Sequence, residues 1–261
     1  MKKKLLIALG VIAVLAIVAV IFVGVFLGNI IKAGMETVGP KITQTTLKVD
    51  AVSVSLLGGS AGVSGLVLGN PTGYKSPQAI SVAKASVSIV PGSLLSDKIV
   101  IHSIEMRAPE ITFEGNPFGA NNFSKIMENV NAAAGAAAQP ATNAPAPAGS
   151  KAPAKKLQVD DFLITGAKVT AQINTGLLNK EISLTLPDIH LSNLGQGSDG
   201  ITAAELAKQV LGKIDVATIE ALTKAVNDLG KNLGGLGNDA GKAVGGNVDK
   251  LKKGLGGLLG K

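Results

Sequence analysis

Cysteine and tryptophan are missing from this chain of 261 residues, tyrosine occurs once and phenylalanine six times. Without cysteine there is no disulfide staple, no thiol nucleophile and no thiolate metal site. A core with so few rings must be built from Val, Ile, Leu and Ala. Arginine is almost as scarce: Arg107 is the only one, so the formal charge of +7 is carried by lysine. Nucleic-acid binders use arginine for bidentate phosphate and guanine contacts and aromatic rings for stacking. Both are lacking, which argues against a nucleic-acid partner. Lysine suits an anionic membrane surface, or simply a solvated exterior.

Groups that carry chemistry are equally thin. The two histidines are His102, in phase with Val100, Ile104 and Met106, and His190, between Ile189 and Leu191. Neither has a local Ser/Asp arrangement or metal-ligand spacing beside it. Asp160 and Asp161 are adjacent, and in a strand adjacent side chains point to opposite faces, a poor arrangement for a catalytic or calcium-binding pair. No phosphate-binding loop of the form G-x-x-x-x-G-K-[ST] occurs. The expectation is a protein that is not an enzyme, with no catalytic, cofactor-binding or metal-binding residues and no cofactor.

What the chain does have is a stretch from Leu5 to Ile31 without a charged residue, between Lys2-Lys3-Lys4 and Lys32. As a helix it reaches about 40 Å, against a hydrocarbon core of about 30 Å. A cleavable signal peptide is the competing reading, but its apolar region is shorter, about 7 to 15 residues, and ends in a small-x-small site. Phe26-Leu27-Gly28-Asn29-Ile30-Ile31 offers no such site. The lysine cluster favours a cytoplasmic stub at residues 1–4 and a single-pass anchor at 5–31, with the bulk of the chain outside the cytoplasm. Within the anchor, Gly24 and Gly28 have the G-x-x-x-G spacing of packed membrane helices.

Residues 32–130 read as short strands separated by turns, then a short helix. Val52, Val54 and Leu56 alternate with Ser53 and Ser55; Leu66 and Leu68 follow, ended by Asn70-Pro71-Thr72-Gly73. Ala83, Ala85, Val87 and Ile89 alternate next, Ile99 to Met106 forms another strand, and Ile111 with Phe113 the last. Short turns between successive strands favour an antiparallel meander. Phe123, Ile126, Met127 and Val130 change to helical spacing. Residues 131–156 are rich in Ala and Pro and read as a linker. At 157–191 a hairpin continues the sheet, with Val169, Ala171 and Ile173 on one strand and Ile182, Leu184 and Leu186 on the other. Ile189 and Leu191 extend it past Pro187. Residues 202–261 read as helical: Thr202 and Glu205 form a capping box, and an apolar stripe continues into a glycine-rich amphipathic tail to Leu258.

Between Val52 and Glu114 the sequence resembles the AsmA-like family of Gram-negative envelope proteins. The matching residues are Gly65-Leu66, the Asn70-Pro71 and Gly73 turn, Ser93-Leu94-Leu95, Ile99, Ile101 and Ile104. Pro109, Ile111, Glu114 and Asn122-Phe123 complete the pattern, and Leu157–Ile173 looks like the family's next strand pair. The resemblance implies an inner-membrane, single-pass protein with its bulk in the periplasm and a curved sheet carrying an apolar groove. It also implies a role in envelope biogenesis and lipid handling. The chain is short beside the larger relatives, and its tail has no counterpart in them. A weaker likeness is to the water-stress β-sandwich of late-embryogenesis proteins, which also carries an Asn-Pro turn.

The expected fold class is α+β: an N-terminal transmembrane helix, an antiparallel curved sheet and C-terminal amphipathic helices. The expected partners are the membrane, through Leu5 to Ile31, and phospholipid on an apolar face. That face would be formed by Val52, Val54, Leu66, Leu68, Val87, Ile89, Ile99, Ile101, Ile104 and Ile111. Plain hydrophobic core is the competing assignment for all ten. The alternative functions are a scaffold that binds another envelope protein, and a stress-protective sandwich.

Overall fold

The computed structural model describes residues 2–138, 155–174 and 179–232. It opens with α1 (Lys2–Thr43), one helix of 42 residues whose last turn contains Pro40. Gln44 takes a left-handed φ of 54° and the chain reverses. It then runs back along the helix as β1 (Leu47–Lys48) and β2 (Ala51–Ser55). The helix is seated on these strands at regular intervals. A Cβ on Gly39 would stand 3.0 Å from the Leu47 side chain, one on Gly28 2.2 Å from the Val52 carbonyl oxygen, and one on Gly24 2.6 Å from that of Val54. Between them the Glu36 carboxylate accepts the Val49 N–H at 3.0 Å, and Lys32 Nζ donates to the Asp50 carbonyl at 3.0 Å. The glycine pair that suggests helix dimerisation from its spacing is therefore occupied by a strand of the same chain.

The strands that follow are β3 (Ser60–Gly69), β4 (Gln78–Ile89), β5 (Lys98–Arg107), β6 (Glu110–Gly115), β7 (Lys156–Thr165), β8 (Lys168–Asn174), β9 (Asn179–Thr185) and β10 (Ile189–Leu194). All belong to one sheet. Its strands are best seen as long strands broken once. The full length of β3 lies against β4, but the other edge of β4 pairs with β5 at Ala85–Ile89 and with β6 at Ile80–Ser81. In turn β7 follows β5 and β8 follows β6, while β10 and β9 close the far edge. The breaks line up across the sheet. They fall at Gly65 (φ 60°), whose missing side chain leaves room for the Asp50 carboxylate, at Ala108 (φ 47°) before Pro109, and at Gly166 (φ 62°). Leu186-Pro187-Asp188 marks the last one. Ala108 N–H donates to Thr165 O at 2.8 Å, Lys168 N–H to Pro109 O at 2.9 Å and Leu186 N–H to Ala167 O at 2.8 Å, so the sheet curls along this line without losing its ladder.

The sheet is mixed, where turn lengths suggest a wholly antiparallel one. The meander holds from β2 to β5, after which β6 returns to pair with β4, and β5–β7 and β6–β8 are parallel. A parallel neighbour needs a crossover connection, and the segment from α2 (Asn122–Ala138) to Lys156 supplies it. The helix α2 also runs past Val130, because alanines, the strongest helix formers, continue it to Ala138. Residues 139–154, within the expected linker, and the tail from Leu233 lie outside the described residues.

Two helices cover one face of the sheet: α2, which packs on α1, β6 and α3 (Ala203–Asn232), and α3, which packs on α2 and β10. The core between them holds Ile111, Phe113, Phe123, Ile126, Val130, Val169 and Leu222, none more than 1 % exposed. Phe113 and Phe123 stack with centroids 6.3 Å apart. The capping box at the start of α3 forms as expected: Glu205 N–H donates to Thr202 Oγ1 at 3.1 Å, and the Glu205 carboxylate accepts Thr202 N–H at 2.6 Å. These bonds hold the Glu205 carboxyl below its ordinary pKa against the opposing effect of burial.

Candidate functional site

The ten apolar residues singled out from the sequence share one face of the sheet. Register places Val54, Ala61, Val87, Ile104, Phe162 and Leu191 opposite one another in a single row across six strands. The next row is Val52, Val63, Ala85, Met106, Ile164 and Ile189. Ile89 aligns with Ile101 and Val159, and Ile99 with Leu157. Beyond the break, Leu68 aligns with Ile80, Ile111 and Val169, and Leu66 stands two residues before it on β3. Side chains directly opposed in a ladder lie on the same face.

Burial divides these rows. Leu68, Ile89 and Ile111 are buried at 4 %, 8 % and 1 % exposure, and Leu68 and Ile111 belong to the main core. Val52, Val54, Leu66, Val87, Ile99, Ile101 and Ile104 are only half-buried. The same contrast runs across each row: Phe162, Ile164 and Leu191 are buried near α3, while Val63, Val87 and Met106 are half-buried toward β2. The face is thus closed core at β6–β8 and β7–β10, and partly uncovered at β2–β5. Val63 and Met106 belong to the uncovered part although strand alternation around Gly62 and Gly65 hides Val63 in the sequence. A separate cleft of about 500 Å³ lies between the β9–Pro187 edge and α3, lined by Leu184, Pro187, Ala217 and Ala221 with Glu220 and Lys224.

The polar residues that carry the Asn-Pro, Pro-x-Ile-x-x-Glu and Asn-Phe patterns meet in one place. Asn122, fully buried, donates from Nδ2 to Asn70 Oδ1 and to Thr112 O, each at 2.7 Å, and accepts Glu114 N–H at 3.0 Å. The Glu114 carboxylate accepts Lys75 N–H at 2.8 Å and Ser76 N–H at 2.9 Å. Burial opposes its charge, but the Ser76 and Lys75 donors prevail and hold its carboxyl below the ordinary value. These residues lock the Asn70–Ser76 turn to β6 and to the start of α2.

Each histidine has found an aspartate. His102 Nδ1 lies 3.2 Å from Asp160 Oδ2, and His190 pairs with Asp161. The adjacent aspartates are expected on opposite faces, yet burial runs from Val159 to Phe162 with both between, so the alternation of β7 slips by one residue there. Gln158 Nε2 donates to Asp160 Oδ1 at 2.8 Å, and this amide, then His102, holds the Asp160 carboxyl below its usual value. Both histidines are well exposed, at 60 % and 59 %. Among the described residues no three His, Asp or Glu side chains converge as a metal site would require.

Inside α3 the chemistry is different. Asp215 is 6 % exposed and Thr218 fully buried, and Asp215 Oδ1 and Thr218 Oγ1 have no hydrogen-bond partner. Desolvation pushes the Asp215 carboxyl up to about 6.

The family model described as the AsmA family matches residues 1–215, from α1 into the first half of α3. Comparison with curated proteins and with solved structures gives no match.

Proposed function

Since the chain belongs to the AsmA family, we propose that it is a non-enzymatic, single-pass protein of the Gram-negative inner membrane that holds phospholipid on the apolar face of its sheet. Its N-terminus is cytoplasmic and its bulk periplasmic, an orientation supported by Lys2-Lys3-Lys4 ahead of the apolar run. The observation that carries the lipid reading is the half-buried part of the face. Val52, Val54, Val63, Val87, Ile101, Ile104 and Met106 form rows with no polar interruption from β2 to β5. An acyl chain asks for apolar area and few directed polar groups, which is what these rows offer.

The test is native mass spectrometry of the full chain released from detergent micelles, followed by lipid extraction. Stoichiometric phospholipid on the parent, lost in Val87→Asp with an unchanged circular dichroism spectrum, supports the reading. Equal lipid on both, or none on either, rejects it.

A second reading, a scaffold for another envelope protein, rests on the far edge of the sheet. Among the described residues β9 and β10 have no second strand partner, and Glu181, Ser183 and Thr185 are exposed along β9. An extended segment of a partner could add there as a further strand. A lipid-free protein that captures one defined partner, and loses it on Ser183→Pro, would favour this reading.

A further inference from the structure

The seat of α1 on β2 fixes how far the sheet stands from any membrane that α1 enters. Gly24, Gly28 and Lys32 meet Val54, Val52 and Asp50 in turn. Four helical residues advance about 6 Å and two strand residues about 6.8 Å, so the two elements stay nearly in step. Neither glycine has room for a side chain, and each is met by a backbone oxygen. The strand therefore cannot slide along the helix without breaking several contacts at once.

This register sets a depth. About 20 helical residues cross a hydrocarbon core of about 30 Å, so a span beginning at Leu5 ends near Gly24. Gly24 is level with Val54. The β2–β3 turn that follows at once, Leu56 to Gly59, then lies at the hydrocarbon boundary.

That end of the sheet carries an unusual surface. Among the described residues, Leu57 and Leu95 are the only large apolar side chains outside α1 that stand exposed, at 82 % and 94 %. They come from different turns at the same end. Leu57 is in the β2–β3 turn, and Leu95 closes the 3-10 turn Pro91–Leu95 after β4. Ile89 N–H donates to Gly59 O at 2.8 Å and ties the two turns together. Each tip is braced. Gly58 N–H donates to Ser55 Oγ at 3.2 Å. Buried Ser93 donates from Oγ to Val90 O at 2.7 Å and accepts Val100 N–H at 2.9 Å, which holds Leu94-Leu95 outward. Lys155 Nζ donates to Leu94 O, and Lys98 stands at the start of β5 beside it, with Asp97 the one acidic neighbour in the same turn. Isolated exposed leucines on held turns, with lysines beside the turn of Leu95, match the apolar and headgroup layers of a bilayer surface.

We infer that this end of the sheet is seated in the outer leaflet of the membrane that holds α1, with Leu57 and Leu95 inserted at the acyl boundary. The inference rests on the reading of α1 as a bilayer anchor and adds to it a fixed orientation. A helix and two inserted tips define a plane. The half-buried rows at Val54–Val87–Ile104 and Ile89–Ile101 then begin at the lipid surface itself.

Because the chain has no cysteine, single cysteines report cleanly. Leu57→Cys, Leu95→Cys, Phe22→Cys and Thr72→Cys would each be labelled with an environment-sensitive dye. Thr72, in the β3–β4 turn at the opposite end, is exposed, and Phe22 is an exposed residue of α1. The full chain is reconstituted in vesicles of phosphatidylethanolamine and phosphatidylglycerol. Quenching by an acyl-chain nitroxide lipid is compared with quenching by aqueous iodide. The expected result is several-fold stronger nitroxide quenching at 57 and 95 than at 72, approaching that at 22, with iodide quenching in the reverse order. If 57 and 95 behave like 72 while 22 remains in lipid, the seating is wrong and the anchor stands. If only one leucine is in lipid, the two-point seating is wrong. If 22 is also reached by iodide and not by the nitroxide, the anchor reading fails and takes the seating with it.

Discussion

Gly28 of α1 and Val52 of β2 are packed backbone to backbone: a Cβ on Gly28 would stand 2.2 Å from the Val52 carbonyl oxygen. No rotamer change relieves a clash with a main-chain atom. Gly28→Val is therefore expected to destabilise the sheet and the helices packed on it by about 2 kcal/mol or more, in the range of core overpacking. Gly34→Ala is the control. Nothing lies within 4 Å of a Cβ there, and the exchange is worth about 0.8–1 kcal/mol of helix propensity in its favour. Denaturant melts of the two variants in the same detergent separate them. Equal melts would mean that α1 does not rest on β2.

Asn122 satisfies three polar groups at once. Asn122→Ala leaves Asn70 Oδ1 and Glu114 N–H without this partner at partly buried positions beside the core. The expected loss is about 3 kcal/mol, from removed hydrogen bonds and stranded partly buried groups. Chemical denaturation measures it, and a change below about 1 kcal/mol would reject the central place given to this residue.

Asp215 makes stability depend on pH in the opposite sense to most carboxylates. Its folded pKa is raised to about 6 from an ordinary 3.8 by desolvation. The neutral form is favoured by folding, so its penalty is absent below the ordinary value. The penalty grows as pH rises toward the folded value and is complete above it, about 3 kcal/mol at pH 7. Glu114, Glu205 and Asp160, whose values are lowered, slope the other way, so the difference between variant and parent is the measurement. Asp215→Asn is expected to gain on the parent between pH 4 and pH 6, and a pH-independent difference would contradict the assignment.

The two regions of the apolar face should respond differently to charge. Ile111 is 1 % exposed within the core, and Ile111→Asp is expected to abolish folding, since an unpaired buried charge costs several kcal/mol. Val87 is half-buried, and Val87→Asp is expected to fold and melt within about 2 kcal/mol of the parent. Thermal melts by circular dichroism check both. If Val87→Asp unfolds as Ile111→Asp does, the face is closed throughout.

Strand identity was legible wherever alternation is local. Val52–Val54, Ala85–Ile89 and Ile182–Leu184 all lie in strands, and Thr202 with Glu205 caps a helix as its chemistry demands. The parallel pairing of β5 with β7 was not, because nothing local in a strand names its neighbour. Alternation also misleads where a strand slips by one residue, as at Asp160-Asp161, whose two histidine partners lie far along the chain. Spacing alone could not tell a helix from a strand as the partner of Gly24 and Gly28, since both demand close backbone approach. The Asn-Pro and Pro-x-Ile-x-x-Glu patterns carry the family likeness, and their polar residues form one hydrogen-bonded lock around Asn122. All ten candidate residues share a face, but their division into covered and uncovered parts depends on where α2 and α3 lie.

The run of contacts between α1 and the first strands also has a kinetic side. Glu36 and Val49 are 13 residues apart and Lys32 and Asp50 18, whereas His102 and Asp160 are 58 apart. Short loops close at lower entropic cost and form sooner. As the chain emerges from N- to C-terminus, the helix-and-strand hairpin can form while most of the protein is still unmade. It then offers β3 an ordered edge already fastened to α1. The meander adds strand by strand from that template, and the slow step is left to the crossover that brings β7 beside β5. An unfinished chain would thus wait with the edges of β5 and β6 unpaired, a stage of assembly at which a chaperone would have something to shield.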